Sequence, residues 1–592
     1  MKLLHCILSF VLLSVMVFAW PAQVVSAEKD ADKKGKTYYI SSSAGDDKND
    51  GLSSKKPWKT FKNAAGLRLT GGDRVLLKRG DTWKERLEIN APNGTKDAWV
   101  YIGPYGDLKA SAPVIDLNAD DNMDDICVLV QDCVPEVKRR CNYVWIDNLT
   151  LKNAVLGIYF RYNATDNNEG VRVTDCYFEN MRSLEWDSWI AENGKVATHD
   201  ANLEILKKPK GNLPYIGSLN GLEGKYYKTG GGVNEYFTAA AIRIGGVPAA
   251  DNYLVSNIEM ERLIFTNCAS GIESCGFWTL TDWVHTKNWN IKDIYTASGS
   301  LFWLDCVDCG WDGTPDSQWG IFENLICDGS IIDSIAMNGV TIAGLVTSKN
   351  CLIRNSIMNN CKNNDFPDGC GFDFERNNIN VQIENSIFAN NDGQGVLMMQ
   401  EQSMRNGELY TSPNIDCKVS NCLFYNNLQN PFEDIFAYDF LIWNDNNENI
   451  EISDNYFVFK PVLEKWNVLA NATDYLADEE DYEVAFAGPM RQGVSFHDND
   501  YQRGNELMSY EGAVNRLDLE YVTRYRVNLI ETNEETCLDN IEKVRVKAQV
   551  VEMPGKNNPS VVKWFVISAI VSGVFLLFAA FLVVFTLIKR KG

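Results

Sequence analysis

Histidine is scarce in this chain of 592 residues: there are four, and the first, His5, falls in an apolar leader. His199, His285 and His497 remain, so an imidazole base has few places to come from. Positive charge is short as well. Lys and Arg number 56 against 79 Asp and Glu, a formal charge of -23, and phosphate recognition needs clustered cations. Nucleic acid is therefore not an expected partner; a soluble acidic surface accounts for the excess. Amphipathic helical stretches between the strand-like segments are missing, which excludes a doubly wound α/β fold. Zinc spacing is missing too: Cys306-x-x-Cys309 has no second pair and no histidine at ligand distance along the chain. Sixteen cysteines include Cys6 in the leader, and the odd number left cannot all pair internally.

Long apolar runs occur at the two ends. Residues 1–27 carry Lys2, an apolar run and then Val25-Ser26-Ala27, the pattern of a cleaved signal peptide. A charged linker follows at 28–36. Near the other end, 564–588 is an uncharged apolar run, long enough to cross about 30 Å of hydrocarbon. Lys589, Arg590 and Lys591 come next, and basic residues stay on the cytoplasmic side. A cell-wall sorting signal would show Leu-Pro-x-Thr-Gly, where this chain has only Met553-Pro554-Gly555. The expectation is a single-pass type I protein of the cell membrane. Its ectodomain is extracellular, one C-terminal transmembrane helix is its membrane contact, and 589–592 form a cytoplasmic tail.

Between the ends a phrase recurs. It reads Asp175-Cys176-Tyr177-Phe178-Glu179-Asn180, Asn355-Ser356-Ile357-Met358-Asn359-Asn360, Asn385-Ser386-Ile387-Phe388-Ala389-Asn390 and Asn421-Cys422-Leu423-Phe424-Tyr425-Asn426. Clean copies are 30 residues apart from Asn355 to Asn385 and 36 from Asn385 to Asn421, a solenoid period. Cysteines such as Cys176 and Cys422 occupy repeat positions, where a small buried side chain suffices. A second phrase, a small residue and a short alternating strand, follows many copies: Gly157-Ile158-Tyr159-Phe160-Arg161, Ala241-Ile242-Arg243-Ile244, Gly271-Ile272-Glu273-Ser274 and Gly371-Phe372-Asp373-Phe374-Glu375. Alternation buries one face of each strand, and Asn suits tight corners because it tolerates left-handed backbone angles. The fold class that follows is all-β, a right-handed parallel β-helix over 37–460. Residues 461–550 are assigned to a C-terminal cap and membrane-proximal region, and 551–563 to a linker.

The opening block, Tyr38-Tyr39-Ile40-Ser41, Gly45-Asp46-Asp47-Lys48-Asn49-Asp50-Gly51, Pro57-Trp58-Lys59-Thr60 and Arg79-Gly80-Asp81-Thr82-Trp83, resembles the start of pectate-lyase-like right-handed parallel β-helix proteins. With the later repeats, the resemblance covers 37–460. It implies the fold and a carbohydrate-active setting, but not one reaction, since that superfamily holds hydrolases, lyases, epimerases and adhesins.

In each small-residue strand the residues between the apolar ones share an outer face. Stacked, they predict an exposed ladder that includes Tyr159, Arg161, Arg243, Glu273, Thr341, Asp373, Glu375 and Leu397. Asp373 and Glu375 are then two carboxylates about 6.6 Å apart along one strand, near the spacings used by retaining and inverting glycosidases. One neutral acid and one anion are what glycoside hydrolysis needs. Asp365 and Asp368 precede this strand, and Asp305, Asp308 and Asp312 form another acidic group. The expected catalytic residues are Asp373, Glu375, Asp368 and Asp305. Arg243, Glu273, Trp303, Trp311, Asp312 and Arg161 are the expected substrate contacts, with indole faces available to pack on sugar rings.

Two classes of function fit this pattern. One is a carbohydrate-active enzyme acting on a polysaccharide or glycan, first a glycoside hydrolase without a cofactor and second a polysaccharide lyase, which would call for a basic residue and often Ca2+. The other is a noncatalytic glycan-binding adhesin, for which the ladder would be a solvated face.

Overall fold

The computed structural model describes residues 35–117, 126–134, 137–138, 141–162, 167–181, 239–246, 254–268, 270–274, 285–296, 299–310, 320–328, 341–361, 369–398, 402–405, 408–429, 439–442, 447–458, 493–502 and 507–517. The expected signal peptide and transmembrane segment lie outside the described residues. Among the described residues no helix is long and apolar enough to cross a membrane.

Each coil lays down three strands. In one coil Val144–Asp147 is followed by Thr150–Ala154 and Leu156–Tyr162. The next repeats the order with Asn168–Thr174, Tyr177–Met181 and Ala240–Gly246. The strands of these coils stack in parallel: Val144 faces Val171, Thr150 faces Tyr177 and Ile158 faces Ile242. Among the described residues 32 strands are joined in one sheet, which makes the chain a parallel β-helix with a first, a second and a third face. Pairing runs past residue 460, since Ile450 faces Val494 and Tyr456 faces Asp500. One further coil therefore lies in the segment read as a cap, and the short helix Tyr510–Arg516 sets Tyr510 against Tyr425 beside it.

Period-two alternation does the folding. Ile158, Phe160, Ile242, Ile272, Phe302, Leu304, Phe372 and Phe374 point into one continuous core that fills the bore of the helix. Aromatic rungs stack along the axis, as Phe388, Phe424 and Phe457 do. Corners are where the backbone must turn sharply. Among the described residues 27 non-glycine residues have positive φ, and 17 of them are Asn and five Asp, the types that bear this conformation at least cost. Their side chains stack from coil to coil. Asn153, Asn180 and Asn267 form one such series outside the core, and Asn378 bonds Asn414 in another within it.

The N-terminal block closes the first coil. Thr37–Ile40 pairs with Arg74–Lys78, and Trp58 lays its indole on Gly51, where a Cβ would come within 2.5 Å of the ring. Asp47 ties the turn by accepting from the amides of Lys59 and Thr60 and from the Thr60 hydroxyl. This explains the Gly-Asp-Asp pattern and the Trp that follows it in the sequence.

Candidate active site on the third face

The third face carries the acidic ladder. Its outward rungs, in axial order, are Glu88, Leu129, Tyr159, Arg243, Glu273, Trp303, Gly344, Asp373, Leu397 and Leu441. The strand register expected from the alternation is therefore found, with Phe372 and Phe374 inside and Asp373 outside. The expected exposure is not. Tyr159 is 2% exposed, Arg243 1%, Glu273 3%, Trp303 8%, Asp373 0% and Leu397 1%. The face is therefore a covered surface and not a solvated one.

The centre of this face has distinct parts. Arg243 Nη1 lies 3.4 Å from Glu273 Oε2, an ion pair with both side chains almost wholly buried. Trp303 comes next, then Gly344, whose missing side chain makes room for the indole: a Cβ there would lie 1.9 Å from Cζ3 of Trp303. The ring thus lies across a bare rung and extends towards Asp373.

Asp305 stands two residues beyond Trp303 in the strand Ser300–Asp308 and is fully buried. Its Oδ2 lies 3.0 Å from His285 Nδ1 and accepts from the Thr347 hydroxyl at 2.6 Å. Its backbone is also held, because its N–H donates to Ser274 Oγ at 3.0 Å and its carbonyl accepts from the Thr286 hydroxyl. Thr347 sits at φ +48°, a left-handed angle that costs a β-branched residue of order 1–3 kcal/mol. Strain of this kind persists where the surroundings hold a residue for another purpose.

Register sets the spacing of the carboxylates. Glu273 pairs with Trp303, so Asp305 is one coil and two residues away, about 8 Å between backbones. Asp373 lies two coils on from Trp303, about 12 Å from Asp305 by the same geometry.

Several expectations are corrected. A β-bulge between Leu345 and Val346 makes Val346 pair with Arg376, so Glu375 is the extra residue and the simple Asp373 and Glu375 pair on adjacent outer positions is broken. Bulges re-aim side chains in this way and occur beside active sites. Arg161 is buried in the row of Asn90, Gln131 and Gly245. Tyr159, beside it, lies three coils before Trp303, about 14 Å, so Arg161 is not brought to Asp305. Asp308 serves a corner, accepting from Gly310 N and Asn350 Nδ2. Asp368, Trp311 and Asp312 lie outside the described residues, and so do Asp365 and the side chain of Thr341. Trp289 is core. Sequence reasoning missed His285 and Thr347 as partners of Asp305; the scarcity of histidine was the one signal for the first.

Cys306 and Cys309 are not alone in space. Cys351 from the next coil joins them, and the three buried sulfurs lie within 4.8 Å of one another. Among the described residues they are the group that could hold a metal ion. An open concavity of about 300 Å³, lined by Arg79, Asn148, Asp175 and Arg262 among others, lies at the corner between the first and second faces and not on the third.

Strand order and register define a parallel β-helix protein. No protein-family model matches the chain. A stretch of 109 residues, 18% of the chain, is 37% identical to the lacto-N-biosidase of Bifidobacterium longum subsp. longum, and it spans 7% of that protein's length. Similar solved structures include a GH136 lacto-N-biosidase from Eubacterium ramulus, with 15% identity, TM-score 0.40, and coverage of 79% of this chain and 68% of that one. An alginate lyase from Paenibacillus sp. gives 10%, 0.35, 79% and 98%, and a pectate lyase 11%, 0.31, 81% and 83%. None of the three reaches a TM-score of 0.5, so the side chains of the third face carry the functional reading.

Proposed function

We propose that the third face is the active site of a glycoside hydrolase that works through carboxylates. The carrying observation is the covered row of Arg243, Glu273, Trp303 and Asp373, with Asp305 buried beside it two residues beyond Trp303. Four ionisable groups and an indole withdrawn from water on an outer face are costly unless the face is used. Asp305 is the essential member in this reading, because two side chains and a strained backbone angle are spent on its orientation. Glu273, about 8 Å away between backbones and paired with Arg243, is the partner carboxylate. Trp303 and Asp373 would line the sugar-binding row beyond them. The 37% identity to a lacto-N-biosidase over 109 residues supports a glycan substrate.

A second reading has an observation of its own: His285, with its side chain 41% exposed and its Nδ1 against a buried carboxylate, has the form of a base, as a polysaccharide lyase requires. One experiment separates the two. The purified protein is incubated with a glycan panel that includes lacto-N-biosidase substrates and uronate polymers. Hydrolysis releases reducing sugars without the ultraviolet absorbance of an unsaturated uronate, elimination produces that absorbance, and a binding protein releases nothing. We also propose that the enzyme is exported and held at the cell membrane by 564–588.

A further inference from the structure

We propose that Cys309 and Cys351 form a disulfide that ties together the two coils holding Asp305, with Cys306 left as a thiol beside it. Cys306, Cys309 and Cys351 all carry free thiols in the structure, fully buried, with their sulfurs within 4.8 Å of one another. Three sulfurs that close allow more than one link, and backbone geometry chooses among them. The amide of Cys309 donates to the carbonyl of Lys349 at 2.7 Å. In this fold an amide that donates to a carbonyl pairs with the residue after that carbonyl, as Thr150, bonded to Pro113, pairs with Val114. Cys309 therefore pairs with Asn350, and Cys351 is its diagonal neighbour at about 6 Å between Cα atoms, inside the usual disulfide range of about 4.4–6.8 Å. Cys306 is set apart from both: Asp305 pairs with Val346, which places the backbone of Cys306 beside Thr347, four residues short of Cys351, and Cys309 is three residues further along its own chain.

The placement relative to the site gives the link its consequence. Cys309 follows Asp305 by four residues and Cys351 follows Thr347 by four, and Thr347 donates to Asp305 at 2.6 Å. A bridge one turn further on would fix the register of the two coils across which that hydrogen bond is made. In the reaction the thiolate of one of the two cysteines attacks an external disulfide oxidant, forming a mixed disulfide and expelling one thiolate. The other cysteine then loses its proton and displaces the second thiolate from the first. The protein dithiol gives up two electrons and two protons, and the oxidant becomes two thiols. Because the sulfurs are enclosed in the finished core, the exchange belongs to folding, before these coils close.

The test uses the full chain isolated with thiols blocked by N-ethylmaleimide in denaturant, digested without reductant and mapped by mass spectrometry. The expected result is one linked peptide pair, Cys309 with Cys351, and an alkylated Cys306. Cys306→Ser should keep the link, and Cys351→Ala should abolish it. Reductant present during folding should lower the melting temperature of the parent and leave that of Cys351→Ala unchanged; if that variant does not fold, the map of Cys306→Ser decides. Three alkylated cysteines, a link from Cys306 to either Cys309 or Cys351, or one equivalent of bound metal with three free thiols after chelation would each overturn the assignment.

Discussion

His285 Nδ1 meets Oδ2 of Asp305 at 3.0 Å, an imidazole with its side chain 41% exposed resting on a carboxylate with none. The carboxylate accepts, so the proton of the contact belongs to Nδ1. Removing the charge while keeping the shape tests the pair. Asp305→Asn should lower turnover by two or more orders of magnitude, the scale of lost acid–base catalysis, with glycan binding retained in a pull-down assay. Unchanged turnover would end the role given to Asp305.

The ion pair of Arg243 and Glu273 is buried enough for its two halves to behave unequally. Arg243→Met alone strands a carboxylate in the covered face and should cost about 3–5 kcal/mol, while the double change Arg243→Met with Glu273→Met should recover most of that. Urea titrations of the three variants measure this as a coupling energy. Additive losses would mean that the two side chains do not depend on each other.

Thr347 spends backbone strain to hold a hydroxyl on Asp305. Thr347→Gly frees the left-handed angle and forfeits the hydrogen bond, so unfolding stability should change by no more than about 1 kcal/mol either way while turnover falls. A large loss of stability with full turnover would make Thr347 a purely structural corner.

Asp439 offers a pH test away from the site. Burial pushes its carboxyl up to about 7, against the opposing hydrogen bonds from Asn427 and the Gly395 amide. The folded chain then keeps a proton that the unfolded chain releases near pH 4. The stabilisation this gives is complete below the unfolded value and is lost as pH rises towards 7. Melting curves from pH 4 to 7 should slope downward, and Asp439→Asn should flatten that slope. An identical slope in the variant would remove Asp439 as its source.

The solenoid was legible in the sequence because its two rules are local. Phe372 and Phe374 alternate with Asp373 within one strand, and Asn385 and Asn390 mark corners on both sides of another. The pairing of side chains on the outer face was not legible. It depends on what a rung meets one coil away, and Glu273 meets Arg243 across 30 residues while Trp303 meets Gly344 across 41. The bulge at Glu375 was hidden for the same reason, since it is a property of the partner strand's register. His285 and Asp305 are 20 residues apart, on two successive strands, a separation that no periodicity describes.

The corner amides stacked outside the core have a direction, opposite to that of Asn378 and Asn414 within it. Asn180 donates to Asn153 and Asn267 to Asn180, each from a later coil to an earlier one, and the first acceptor of that series is the carboxylate of Asp116. Asp308 begins another, below Asn350 and Asn380. A carboxylate has no hydrogen to pass backwards, so an aspartate can found such a series but not stand in the middle of one. Asn and Asp, interchangeable as corner formers, are thus punctuation of different kinds: Asp308 opens a new line of amides at the coil that carries Asp305.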